Sequence, residues 1–105
     1  MICTYNANVA EIVGTDAATI FEYIMYFVFQ SKCQKENYVS GKYWTYETRT
    51  ALAKHFFFMS DKEINIALAT LLQENFIETM NDNSSKPNWF TVGKRGESFF
   101  LRAYA

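Results

Sequence analysis

Cysteine, histidine, proline and excess charge are all scarce in this chain, and each scarcity removes a class of function. Two cysteines, Cys3 and Cys33, are too few for a disulfide framework or a zinc site, and they read as reduced thiols. The one histidine, His55, has no Cys or carboxylate partner at a recognisable spacing. There is no Gly-rich phosphate loop, and the carboxylates are scattered. The chain is therefore expected not to be an enzyme, with no metal, cofactor or small-molecule substrate. A net charge of −1 and a pI of about 5.8 leave no overall basic footprint of the kind nucleic-acid-binding domains carry. Long apolar runs are also missing. The most apolar stretch, residues 20–29, is about ten residues, against the roughly 20 a helix needs to cross a bilayer. The first residues, MICTYNANVA, have neither a basic region nor an apolar segment of signal-peptide type, so a cytoplasmic protein with no membrane partner is expected. No repeat or low-complexity segment interrupts the chain, and its only proline is Pro87.

What is present is apolar and aromatic. Half of the 105 residues are hydrophobic and 18% are aromatic, enough for one domain with one modest core. The organising stretch is residues 45–75. Glu47, Thr48 and Arg49 open a first helix, with Leu52, Ala53 and Phe56 on its apolar stripe. Phe57, Phe58 and Met59 form an apolar break. Ser60 is then an N-cap and Glu63, three residues on, completes a capping box. Ile64, Ala67, Leu68 and Leu71 recur at i, i+3, i+4 and i+7, giving the second helix one core face. Asn75 suits the left-handed position at its end. Helix, short turn and capped helix outline a helix-turn-helix. Residues 76–80 and 89–92 are strand formers around a polar turn cluster, which reads as a β-hairpin wing, and Tyr43, Trp44 and Thr45 supply a third short strand.

Val9, Ile12 and Val13 fit either a short helix or an extended arm, ended by Gly14. Thr15 or Asp16 then caps a long helix from Ala17 to about Lys32. Ile20, Ile24, Phe27 and Val28 form one stripe, and Phe21, Met25 and Phe29 a second beside it. A helix apolar on so many sides must be covered. A homodimer through Phe21, Met25, Phe29, Phe99 and Phe100 is one expectation; covering by the chain's own N-terminal arm and C-terminal tail is the other. Residues 31–42 read as a polar connector with Lys32, Lys35 and Lys42 against Glu36, a solvated loop or a phosphate contact. Gly93, Lys94, Arg95 and Gly96 turn the chain into a closing helix carrying Phe99, Phe100, Leu101 and Tyr104, expected to pack on the long helix.

With these residues in view, the run WTYETRTALAKHFFFMSDKEINIALATLLQENFIETM, a polar tip and WFTV resembles the winged helix-turn-helix domain of phage and plasmid replication-initiation proteins. Thr91 to Gly96 also resembles the end of the wing in small transcriptional regulators, where a following helix mediates dimerisation. The long apolar helix resembles the one that precedes the replication-type domain. The resemblance covers about Val9 to Val92 and implies a mainly α fold with a small β-hairpin wing; by its length the chain is expected to be a single domain, residues 1–105. Residues 1–42 are the arm, long helix and connector, 43–92 the motif and wing, and 93–105 the C-terminal helix. It also implies a bacterial or phage-infected host cell. One departure stands out. The family's second helix presents Arg or Lys on its exposed face, whereas here those positions are Asn65, Ile66 and Ala69, and Asp61, Glu63 and Glu74 outnumber Lys62.

Two functions follow. In the first, the protein binds double-stranded DNA: Lys62, Asn65 and Gln73 meet base edges, while Lys86 and Asn88 on the wing, with Lys94 and Arg95, meet phosphates. In the second, the same fold binds a protein through Ile66, Ala69 and Leu72, as an inhibitor of a host machine such as an anti-defence protein, or as a replisome assembly factor. Tyr43, Trp44, Trp89 and Phe90 read either as sheet packing or as a platform for unpaired bases.

Overall fold

The computed structural model describes residues 4–80 and 88–104. It is mainly helical with a small antiparallel sheet. Helix α1 (Ala7–Val13) starts at Asn6, whose side-chain oxygen accepts from the N–H groups of Asn8 and Val9. The weakly patterned start is thus helical. Gly14 follows at φ 90° and ψ 164°, a conformation that strains any residue with a Cβ. That break sets the start of α2 (Thr15–Gln34). Neither Thr15 nor Asp16 is its cap: they are its first two helical residues, and the Gly14 carbonyl accepts from Ala18 N–H at 3.0 Å. Helix α2 stops at Lys35, which is left-handed, with the Glu36 N–H closing back on the Ser31 carbonyl at 3.1 Å.

The polar connector is not all loop. Tyr38–Val39 (β1) pairs antiparallel with Lys42–Tyr43 (β2). Ser40 and Gly41 between them both have positive φ, 53° and 81°, the two-residue turn whose twist suits a hairpin. Of its cations, Lys42 is bound to Glu78 at 3.0 Å, while Lys32 and Lys35 are exposed.

The expected helix, turn, helix and strands follow in order. Strand β3 (Thr45–Tyr46) leads into α3 (Arg49–His55), where the Thr48 hydroxyl caps Ala51 N–H. Helix α4 (Asp61–Gln73) has both arms of its capping box: Glu63 N–H donates to the Ser60 hydroxyl at 3.1 Å, and Ser60 N–H to the Glu63 carboxylate at 2.8 Å. Asn75 is left-handed at φ 61°. Strands β4 (Ile77–Thr79) and β5 (Trp89–Val92) pair antiparallel, and β3 lies on the other side of β5, pairing Thr45 with Phe90. The intervening residues 81–87, with Lys86, lie outside the described ones. A 3-10 turn over Lys94–Gly96 leads to α5 (Glu97–Tyr104).

The core joins Ile20, Ile24 and Val28 of α2 to Ile64, Leu68 and Leu71 of α4 and to Phe76, Ile77 and Phe90. This corrects the expected dimer interface. Phe21 and Met25 are 0% and 1% exposed within the single chain, so neither is available to a second copy. Helices α1 and α4 and strand β5 cover α2. Phe29 is half-buried and stacks on Tyr104 of α5 at 4.6 Å, while Phe99 and Phe100 are half-buried against the same core. The N-terminal arm and C-terminal tail thus cover part of α2, and the central α4 and β5 cover the rest of its buried face. Trp44 and Phe90 are buried too, with the Trp44 indole N–H donating to the Val39 carbonyl, so neither offers a face for stacking on bases. Among the described residues no helix is long and apolar enough to cross a membrane.

Candidate functional site

The exposed side of α4 was the expected contact surface. Lys62, Ala69 and Gln73 are exposed on it. Asn65 is committed inward, its side-chain oxygen accepting from Arg49 Nε at 2.9 Å. Ile66 is 55% exposed, but Leu72 is half-buried against the core, so the apolar strip is shorter than its spacing implied. Beside Ile66 a groove of about 260 Å³ separates α4 from the α1–α2 junction, and Asp16 and Glu63 both line it. The Ser60 N–H, and next its hydroxyl, hold the Glu63 carboxyl below its ordinary pKa, so it is negative near neutrality.

At the base of the hairpin, Lys94 is exposed. Arg95 donates to Glu74 at 2.8 Å and lies 5.3 Å above the Phe76 ring. Asn88 is half-buried, and its carbonyl accepts from Glu47 N–H at 2.7 Å. Of the residues expected to meet DNA, Asn65 and Arg95 are thus engaged within the chain, Lys86 lies outside the described residues, and Asp61 and Glu63 flank Lys62 at the start of α4. Among the described residues no three His, Cys, Asp or Glu side chains gather as a metal site would require.

A second surface was not singled out from the sequence. In the α3–α4 turn, Phe57 is 80% and Phe58 54% exposed. The cause is local: Met59 N–H closes on the Phe56 carbonyl at 2.9 Å, Phe56 and Met59 turn inward, and the two residues between them have nowhere to go but outward. From there aromatic rings run in contact across the molecule. Phe57 meets Phe58 at 5.7 Å, Phe58 meets Phe56, Phe56 meets Tyr23 at 5.2 Å, Tyr23 meets Phe27 at 4.7 Å, and Phe27 meets Tyr26 at 5.1 Å. Two adjacent phenylalanines in a four-residue turn were the available signal, since such a turn buries only its ends.

Beneath this surface lies a polar cluster. Glu47 is 6% exposed and accepts from the Tyr23 hydroxyl at 2.8 Å and the Thr45 hydroxyl at 2.6 Å. Burial, then the bond to and the charge of Glu47, keep the Tyr23 hydroxyl protonated far above its ordinary range. His55 packs on Tyr23 with ring centroids 4.4 Å apart; burial lowers its pKa and the Glu47 charge opposes that shift. Beside the cluster, α2, the connector and β3 enclose an open groove of about 500 Å³. Nothing in the residue pattern marked Glu47 as more than a helix-opening acid. Its burial comes from a strand, a helix and a hairpin meeting there.

No family model, curated protein or solved structure matches the chain. The likeness to replication-initiation proteins accordingly rests on the sequence pattern and the order of elements.

Proposed function

We propose that this protein is a protein-interaction module on a winged-helix scaffold, docking through the aromatic surface of the α3–α4 turn and α2. The observation that carries this reading is the outward placement of Phe57 and Phe58 in a capped, hydrogen-bonded turn. Adjacent exposed aromatics are costly to leave in water and typical of the anchors of protein interfaces. Ile66 adds apolar surface on α4. A phage-type inhibitor or assembly factor acts by such contacts alone, without a reaction.

The DNA-binding alternative keeps the support of the element order, which we read as strand, helix, turn, helix and wing, and of Lys62 and Lys94, both exposed. It is the weaker reading because α4 would approach phosphates with Asp61, Glu63 and the neighbouring Asp16 on its flank.

The test is site-specific photo-crosslinking. A benzophenone amino acid is placed at position 57, and in a control at the exposed Ala103, and cells that natively produce the protein are irradiated. Discrete adducts from position 57 and none from 103 are expected. Equal or absent adducts from both would refute the docking surface.

A further inference from the structure

The groove between α2 and β3 has a chemistry distinct from that of the exposed phenylalanines of the α3–α4 turn. Its walls include Tyr26, Phe27 and Tyr46, its polar rim includes Gln30 and Gln34, and Glu47 closes its inner side. Two features suggest an occupant. First, Glu47 is a buried carboxylate with two hydroxyl donors; its charge is felt by His55, but among the described residues no Lys, Arg or His lines the groove. A carboxylate withdrawn from water is held at a cost that a cation offsets. Each of its oxygens has one bond from a hydroxyl and retains acceptor capacity for another. Second, the walls are half-exposed tyrosines fixed by their neighbours, Tyr46 against Trp89 at 4.9 Å and Tyr26 against Phe27 at 5.1 Å. Aromatic faces around an anionic floor favour a flat cation, and a guanidinium both stacks on rings and pairs with a carboxylate.

We infer that this groove receives an arginine side chain of the protein partner, with Glu47 as its counter-ion and Tyr26 and Tyr46 as its walls. This inference rests on the protein-interaction reading and adds the chemistry of one anchor. The phenylalanines supply apolar contact, and the groove supplies selection for a positive side chain. A chain of net charge −1 then carries its recognition of a basic group in one groove rather than across an acidic surface.

The probe is N-acetyl-arginine methylamide, with the uncharged citrulline analogue as control, titrated into the isotope-labelled full chain and followed by amide chemical shifts. Saturable shifts on Gln30, Tyr46 and Glu47 are expected with arginine and not with citrulline, at an affinity on the order of millimolar for so small a ligand. Tyr46→Ala, an exposed position, is expected to weaken binding about two- to fivefold, the usual worth of one exposed cation–π contact. Glu47→Gln, used only if its spectrum keeps the native dispersion, should weaken it about tenfold or more. No saturation, equal response to citrulline, or an unchanged affinity in Tyr46→Ala would overturn the inference. The two readings fail separately. Crosslinks from position 57 without arginine binding would remove the groove and leave the docking surface; arginine binding without crosslinks would leave a cation site and remove the docking surface.

Discussion

At the scale of single residues, the balance around Tyr23, Thr45 and Glu47 decides more than their number suggests. Three polar groups at the edge of an aromatic core survive there because each has a partner. Tyr23→Phe removes one donor while preserving the ring packing, and leaves a Glu47 oxygen without its bond. A loss of about 1–3 kcal/mol in unfolding free energy by urea titration is expected. His55 adds a pH dependence. Its pKa is lowered in the folded chain, so the unfolded chain takes up the proton first as pH falls. Its stabilisation is complete above the ordinary value of 6.5 and is lost as pH drops below it, through the lowered folded value. Between pH 7 and 5.5 the urea midpoint should therefore decline, and the decline should shrink in His55→Phe.

At the scale of elements, what was legible in the sequence was whatever is determined locally. The capping box of Ser60 and Glu63, the core stripe of α4, the left-handed Asn75 and the hairpin strands each follow from a few neighbouring side chains, and each is present. The start of α2 was misread because Thr15 and Asp16 have the chemistry of a cap, while Gly14 before them makes the break. The small hairpin of β1 and β2 was missed because its strands are two residues each; only the Ser40–Gly41 pair betrays it. The candidate site was the least legible part. The exposure of Phe57 and Phe58 is local, set by the tight turn from Phe56 to Met59, and was open to reading from the adjacent phenylalanines, whereas the burial of Glu47 depends on how distant elements meet. The junction to α5 is a further case of close approach. A Cβ at Gly96 would fall 2.5 Å from the Phe76 carbonyl oxygen and 2.9 Å from the Phe21 ring. Gly96→Ala should cost more than about 2 kcal/mol and lower the melting temperature, since both obstacles belong to the core.

At the scale of the whole molecule, the apolar excess of α2 is absorbed by α1, α4, β5 and α5, and the charge of the chain is nearly balanced. The exposed apolar side chains among the described residues include Phe57 and Phe58 of the α3–α4 turn and Tyr26 and Tyr46 beside the groove. Arg95 is paired with Glu74, and Asp16 and Glu63 line the groove beside α4. Acidic side chains on the flank of α4 oppose the approach of duplex phosphates there. The measurement that bears most directly on this account is the fluorescence anisotropy of a labelled random DNA duplex titrated with the full chain, first at low salt and then near physiological salt. The protein-interaction reading predicts no saturable rise even at low salt. A rise whose affinity falls linearly with the logarithm of salt concentration would contradict it and return the function to DNA.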